Sequence, residues 1–209
     1  MKSQFHSSVT LDGVRYIADR WKQKDGYLEA LKQVESIEEG FGPIGIWSVK
    51  LENRAFSFRY PKKFDGIYRE LKYVYMRFFI SSPLSMASTR EIVQYSTLHV
   101  ESCLKLFCKR KAIKSYERKS LVPLLKSCKS VLADGLAKSL YMLGTGVGNV
   151  AKHHFAVGTE QPLFSIEDAF AVYLCCRKLG YEIIIQAGAL TEILEACRTG
   201  PFLNPMLYV

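Results

Sequence analysis

Apolar residues recur every three or four positions along most of the chain, the spacing that places side chains on one face of an α-helix. An early example is a predicted amphipathic helix over residues 25–39, which the sequence Gly40-Phe41-Gly42-Pro43 should end. Its apolar face is formed by Leu28, Leu31, Val34 and Ile37.

The pattern changes to a period of two in residues 44–51 and 54–60, where apolar and polar residues alternate. Such alternation is typical of β-strands with one buried face, and Glu52-Asn53 between the two segments could form a turn. The two segments therefore predict a small β-hairpin, closed by Pro61.

Helical spacing returns at Lys62 and continues almost to the end of the chain. Ser81-Ser82-Pro83 interrupts it, and Ser165-Ile166-Glu167-Asp168 has the form of a capping box, which starts a helix. The further predicted helices run from about Thr89 to about Lys111, over Leu121–Cys128, from about Val131 toward His154, and over Leu190–Cys197, before a loop that ends at Val209.

These elements predict a mainly α fold, with a bundle of four or five helices behind an N-terminal helix and a small hairpin. We expect an N-terminal extension over residues 1–61 and a helical bundle over residues 62–209.

Composition limits the class of protein. The chain has 209 residues, of which 48% are hydrophobic and 23% charged. These values are those of a globular protein and exclude general disorder, a collagen-like repeat and a disulfide scaffold.

The expected compartment is the cytoplasm. The N-terminus lacks the apolar run of a signal peptide, and no window reaches the ~18 consecutive apolar residues of a membrane span. The six cysteines form no Cys-x-x-Cys pair and are interpreted as reduced, buried residues. Since no metal-ligand spacing or cofactor motif is present, we expect no metal and no cofactor.

Positive charge is concentrated in two segments. The net charge is +9, but residues 105–129 carry +8 and residues 54–77 carry +5, so the rest of the chain carries −4. A localised positive field attracts RNA and other polyanions, although a basic segment is often only a solvated surface. The candidate nucleic-acid-binding residues are Lys105, Lys109, Arg110, Lys111, Lys114, Arg118 and Lys119, together with Lys152 and His154.

Aromatic and basic residues alternate irregularly between Arg54 and Phe79. Aromatic rings within a positive groove can stack on single-stranded bases. The alternative interpretation, which the sequence favours, is that these aromatic residues belong to the core.

The segment Gly148-Asn149-Val150-Ala151-Lys152-His153-His154-Phe155 carries the candidate chemistry. On a helix, Asn149 and His153 are four residues apart and share a face, where they could bind a phosphate or a ribose hydroxyl. Alternatively, they form hydrogen bonds within the bundle.

Three alternate glycines precede that segment: Gly144, Gly146 and Gly148. Each is unfavourable in a regular helix, so we expect the helix to kink or open here. Close approach of another helix explains the glycines better than a phosphate-binding loop, because the segment follows a helix and lacks the Gly-x-Gly-x-x-Gly spacing.

Together, these segments resemble a HEPN-type helical domain. The resemblance covers about Ser88 to Ala187 and rests on the order of a long helix, a short helix, a helix with the signature Arg-Asn-x-x-x-His, and a final amphipathic helix. It implies a homodimer, and a role in RNA metabolism or bacterial defence. Asn149 and His153 match the signature, whereas Gly148 occupies the position of the family's Arg.

The resemblance also implies an activity. Many HEPN domains are metal-independent endoribonucleases in which the His assists proton transfer at the ribose 2′-hydroxyl and the Arg supports the phosphate. An Arg would be a major source of electrostatic stabilisation in such a site, and Gly supplies none. The sequence thus favours a non-catalytic or weakly active module that binds nucleic acid, a nucleotide or a protein partner; the alternative is an endoribonuclease using His153 and Asn149.

Overall fold

The computed structural model describes residues 47–50, 55–58, 60–80, 86–152, 164–203 and 206–208. The helix predicted over residues 25–39 lies outside these ranges. Within them the fold is mainly α, which confirms the predicted class of a helical bundle.

Most described residues belong to helices whose apolar faces point toward a common core. The α-helices are α1 (Asp65–Ile80), α2 (Met86–Arg110), α3 (Leu121–Cys128), α4 (Asp134–Met142), α5 (Asn149–Lys152), α6 (Ile166–Gln186) and α7 (Leu190–Thr199). Short 3-10 turns precede α1 and follow α3, at Lys62–Phe64 and Lys129–Val131.

Helix α2 is the centre of the bundle and packs most extensively against α1 and α6. His99 of α2 contacts the carbonyl oxygen of Ile67 near the start of α1, and Arg77 near the end of α1 forms an ion pair with Glu91, so α1 and α2 are antiparallel. Helix α2 also contacts α3, α5 and the turn between α4 and α5.

The start of α6 shows how local sequence sets a helix boundary. The Ser165 hydroxyl accepts a hydrogen bond from the Asp168 backbone N–H, and the Asp168 carboxylate accepts one from the Ser165 backbone N–H. Two N–H groups that the helix itself leaves without a partner are thereby satisfied. The predicted capping box is confirmed.

The helix predicted from about Val131 toward His154 is interrupted. It begins at Asp134, and a π-helical turn over Leu143–Gly148 separates α4 from α5. All three alternate glycines lie in this turn, which confirms that the helix opens there. A Cβ atom on Gly144 would lie 2.7 Å from Cγ2 of Val122, so close approach to α3 is confirmed at Gly144; at Gly146 no atom lies within 4 Å.

The antiparallel strand pair of the predicted hairpin is confirmed, but Pro61, which was expected to close the hairpin, lies in a further strand. Strands β1 (Trp47–Lys50) and β2 (Ala55–Phe58) pair antiparallel, and β3 (Tyr60–Pro61) precedes the first 3-10 turn. The loop predicted after the last helix is wrong in part, because β4 (Phe202–Leu203) pairs with β3 and β5 (Met206–Tyr208) pairs with β2. Such short strands show no clear alternation, and their partners are distant in sequence.

Candidate nucleic-acid interface

The signature segment is described only in part. Asn149 is exposed and is the first residue of α5, Lys152 is the last, and His153 and His154 lie outside the described residues. Gly148 is buried, and a Cβ atom there would lie 3.7 Å from Thr97 of α2. Gly148, where the HEPN-type resemblance leads one to expect an Arg, therefore faces a neighbouring helix, and the roles of Asn149 and His153 stay predictions.

A groove of about 640 Å³ lies between the start of α1 and the last two turns of α2. We call it the basic groove. Its charged lining residues are Lys63, Lys105, Lys109, Arg110 and Glu192, and its aromatic lining residues are Phe64 and Tyr116. Lys63 comes from the first basic segment, while the other three cations come from the second. Tertiary structure thus unites the two segments that carry the protein's positive charge.

Helical spacing explains why the cations of α2 converge. Lys105 and Lys109 are four residues apart, so their side chains leave the same face of the helix. Phe64 and Ile67, each 5% exposed, belong to the apolar core beneath the groove. The cations consequently lie above well-packed core residues. Tyr116 also lines the groove and is partly buried against the core.

Two carboxylates partly neutralise the basic groove. Glu192, near the start of α7, forms ion pairs with Lys63 at 2.5 Å and with Arg110, and Glu101 forms one with Lys105 at 2.9 Å. Hydrogen bonds from Lys63 and Arg110 lower the pKa of Glu192, so this carboxylate is charged at neutral pH. Within the described part of the chain, Lys109 is exposed and forms no ion pair.

The other predicted cations lie outside the basic groove. Lys111 lies 5.8 Å from the centre of the Phe107 ring, and the Lys119 ammonium donates to the Ser127 hydroxyl at 2.6 Å. Lys114 and Arg118 are exposed in the loop between α2 and α3. The sequence therefore predicted Lys105, Lys109 and Arg110 as members of a longer list of candidate residues, and that list also included cations that lie outside the basic groove.

Sequence reasoning did not select Lys63, Tyr116 or Glu192 as site residues. Lys63 lies in the stretch of basic and aromatic residues between Arg54 and Phe79, and that stretch could have indicated Lys63 as a binding residue. Phe64 and Tyr68 of that stretch are core residues, as the alternative interpretation predicted. Glu192 is an acid on an amphipathic helix distant in sequence, and no local pattern marked it.

His99 belongs to a buried polar cluster with Cys103 and Arg177, all of them 0% exposed. The Nδ1 atom of His99 lies 2.9 Å from the carbonyl oxygen of Ile67. A neutral imidazole that carries its proton on Nδ1 donates a hydrogen bond to this oxygen. Burial, assisted by the positive charge of Arg177, lowers the pKa of His99 to about 3. Burial likewise raises the pKa of Cys103 to about 12. A neutral imidazole and a neutral thiol closed off from solvent are structural groups.

No family model matches the chain. No curated protein and no solved structure is significantly similar to it. The HEPN-type resemblance therefore stays an expectation from order and spacing, and functional inference rests on the described geometry.

The described helices include none that is long and apolar enough to cross a membrane. Among the same residues, no group of three or more His, Cys, Asp or Glu side chains could hold a metal ion.

Proposed function

We propose that the protein is a HEPN-like module that binds single-stranded RNA in the basic groove. The observation that carries this proposal is the convergence of Lys63, Lys105, Lys109 and Arg110 on one groove from two basic segments. Lys and Arg that neutralise phosphates provide most of the affinity of non-specific nucleic-acid binding.

The shape of the groove favours a single strand over a duplex. Tyr116 stands beside the cations and offers a ring on which a base can stack, an interaction available to unpaired bases. A pocket of about 640 Å³ accommodates a few nucleotides rather than a helix with its grooves. Lys109 is the cation best placed to bind a phosphate, because it is exposed and forms no ion pair within the described part of the chain.

Replacing Lys109 with Glu is expected to weaken RNA binding about tenfold at low salt, because one attractive phosphate contact becomes repulsive. Fluorescence anisotropy with a labelled single-stranded RNA measures the dissociation constant. Lys178→Glu makes the same charge change at an exposed position of α6 and is the matched control.

Two results would overturn the proposal. One is an affinity of the parent protein that does not fall as salt rises, since counterion release requires that dependence. The other is an equal loss of affinity in Lys109→Glu and Lys178→Glu, which would indicate a response to net charge rather than to the basic groove.

The endoribonuclease remains a second candidate because Asn149 is exposed at the start of α5. In that case RNA incubated with the protein in EDTA is cleaved, and His153→Ala abolishes cleavage while leaving binding in the basic groove. Intact RNA with the parent protein favours the binding module.

The homodimer and the cytoplasmic location stay predictions, as does the boundary between residues 61 and 62.

Glu192 should compete with RNA for the cations of the basic groove. Its carboxylate bridges Lys63 and Arg110, so Glu192→Gln is expected to free both and to raise RNA affinity about threefold to tenfold. Glu195→Gln removes the same charge at an exposed position less than one turn further along α7 and should have a smaller effect. Weaker binding by Glu192→Gln would show that the carboxylate instead positions the two cations.

A further inference from the structure

A second groove, of about 540 Å³, is lined by residues of α3 and α4. It runs between α3 and α4, and we call it the α3–α4 groove. It is lined by Leu125, Lys126, Lys129, Ala137, Tyr141 and Met142, with Asp134 and Lys138 at the α4 side.

Large apolar side chains of this groove are exposed to solvent. Met142 is 72% exposed and Tyr141 is 51% exposed. Ala137 and Tyr141 are four residues apart and share one face of α4. Clustered exposed apolar residues mark interaction surfaces more often than isolated ones do.

The charges around the groove are mainly positive. Lys138 forms an ion pair with Asp134 at 2.6 Å, whereas Lys126 and Lys129 are exposed and form no ion pair within the described part of the chain. A second copy of the chain docked here would bring these lysines toward their equivalents, and like charges repel. An acidic partner bound in the groove, by contrast, could form ion pairs with both Lys126 and Lys129.

We propose that the α3–α4 groove is a docking site for an acidic amphipathic helix of a partner protein. Helices that bind in grooves insert apolar residues spaced three or four positions apart, and the groove between α3 and α4 offers Tyr141 and Met142 to such residues. Methionine adapts its shape to different apolar surfaces. Acidic residues flanking the apolar stripe would pair with Lys126 and Lys129. This proposal is independent of RNA binding.

The experiment uses a fluorescein-labelled synthetic helical peptide with Leu at positions i, i+4 and i+7 and Glu at the other exposed positions. We expect saturable binding to the full chain by fluorescence anisotropy, weakened about tenfold by Met142→Glu and by Lys129→Glu. Both residues are exposed, so circular dichroism should show that the variants fold. Lys114→Glu makes the same charge reversal outside the groove and should leave peptide affinity unchanged.

Specificity is checked with two further peptides, one with Lys in place of Glu and one with Ala in place of Leu, neither of which should bind. Absence of saturable binding, or binding that Met142→Glu and Lys129→Glu leave unchanged, overturns the proposal. Concentration-dependent self-association of the chain that Met142→Glu abolishes would also overturn it, since the occupant would then be a second copy.

Discussion

Lowering the pH from about 6.5 to about 4.5 is expected to remove about 2–3 kcal/mol from the free energy of unfolding through His99 alone. In the folded protein the imidazole is fully buried, with Arg177 nearby, and the pKa of His99 is lowered to about 3. In the unfolded chain the same group titrates near its ordinary value of about 6.5.

The direction of the effect follows from proton uptake. Below about pH 6.5 the unfolded state binds a proton at His99 that the folded state does not, so unfolding is favoured as the pH falls. The contribution to stability is complete above about pH 6.5 and is lost progressively toward about pH 3, by about 1.4 kcal/mol per pH unit.

Urea unfolding at a series of pH values measures this dependence, and His99→Gln provides the comparison. The variant is expected to be less stable at neutral pH, because it loses ring packing, but its free energy of unfolding should vary less with pH. The comparison isolates His99 from the remaining histidines. Equal slopes in the two proteins would contradict a neutral, buried His99.

Gly180→Ala is expected to destabilise the protein by about 1–2 kcal/mol, although alanine favours a helix. A Cβ atom at Gly180 would lie 2.7 Å from Nε2 of His99 and 3.3 Å from Sγ of Cys103. The His99 ring cannot easily retreat, since its other nitrogen contacts the Ile67 carbonyl oxygen and the whole side chain is buried. The added methyl group therefore overpacks the contact between α2 and α6.

Gly66→Ala is the matched control, because Gly66 lies in α1 and a Cβ atom there would have no neighbour within 4 Å. This variant should gain about 0.5 kcal/mol from reduced backbone freedom in the unfolded chain. Urea unfolding compares the two. In a His99→Ala background the cost of Gly180→Ala should shrink, as expected for two residues in contact. Equal effects at Gly180 and Gly66 would contradict the close approach of α2 and α6.

The order and type of the helices could be predicted from the sequence because both depend on local spacing. The bounds of α3 were predicted correctly from its apolar run, and the start of α6 from the side chains of Ser165 and Asp168. Three glycines within five residues likewise indicated where the helix opens, since their effect on backbone freedom does not require knowledge of the neighbours.

Predictions about sites were less complete. The sequence indicated Lys105, Lys109 and Arg110 among its candidate residues, because all three lie in a segment where positive charge is concentrated. It could not add Lys63 or Glu192, whose positions depend on how α1 and α7 pack against α2. The roles assigned to Asn149 and His153 remain predictions for the same reason, since they depend on what surrounds those residues in space.

The sequence by itself therefore determined the mainly α class, the hairpin, the succession of helices and the two segments that carry the positive charge. Only the tertiary structure decided that both segments meet in one groove beside Glu192, that β5 returns to pair with β2, and that Met142 is left exposed on α4. The physical reason is the range of the interactions. Capping, periodicity and glycine act between residues a few positions apart, whereas a groove, a strand pair and an exposed face arise from contacts between residues far apart along the chain.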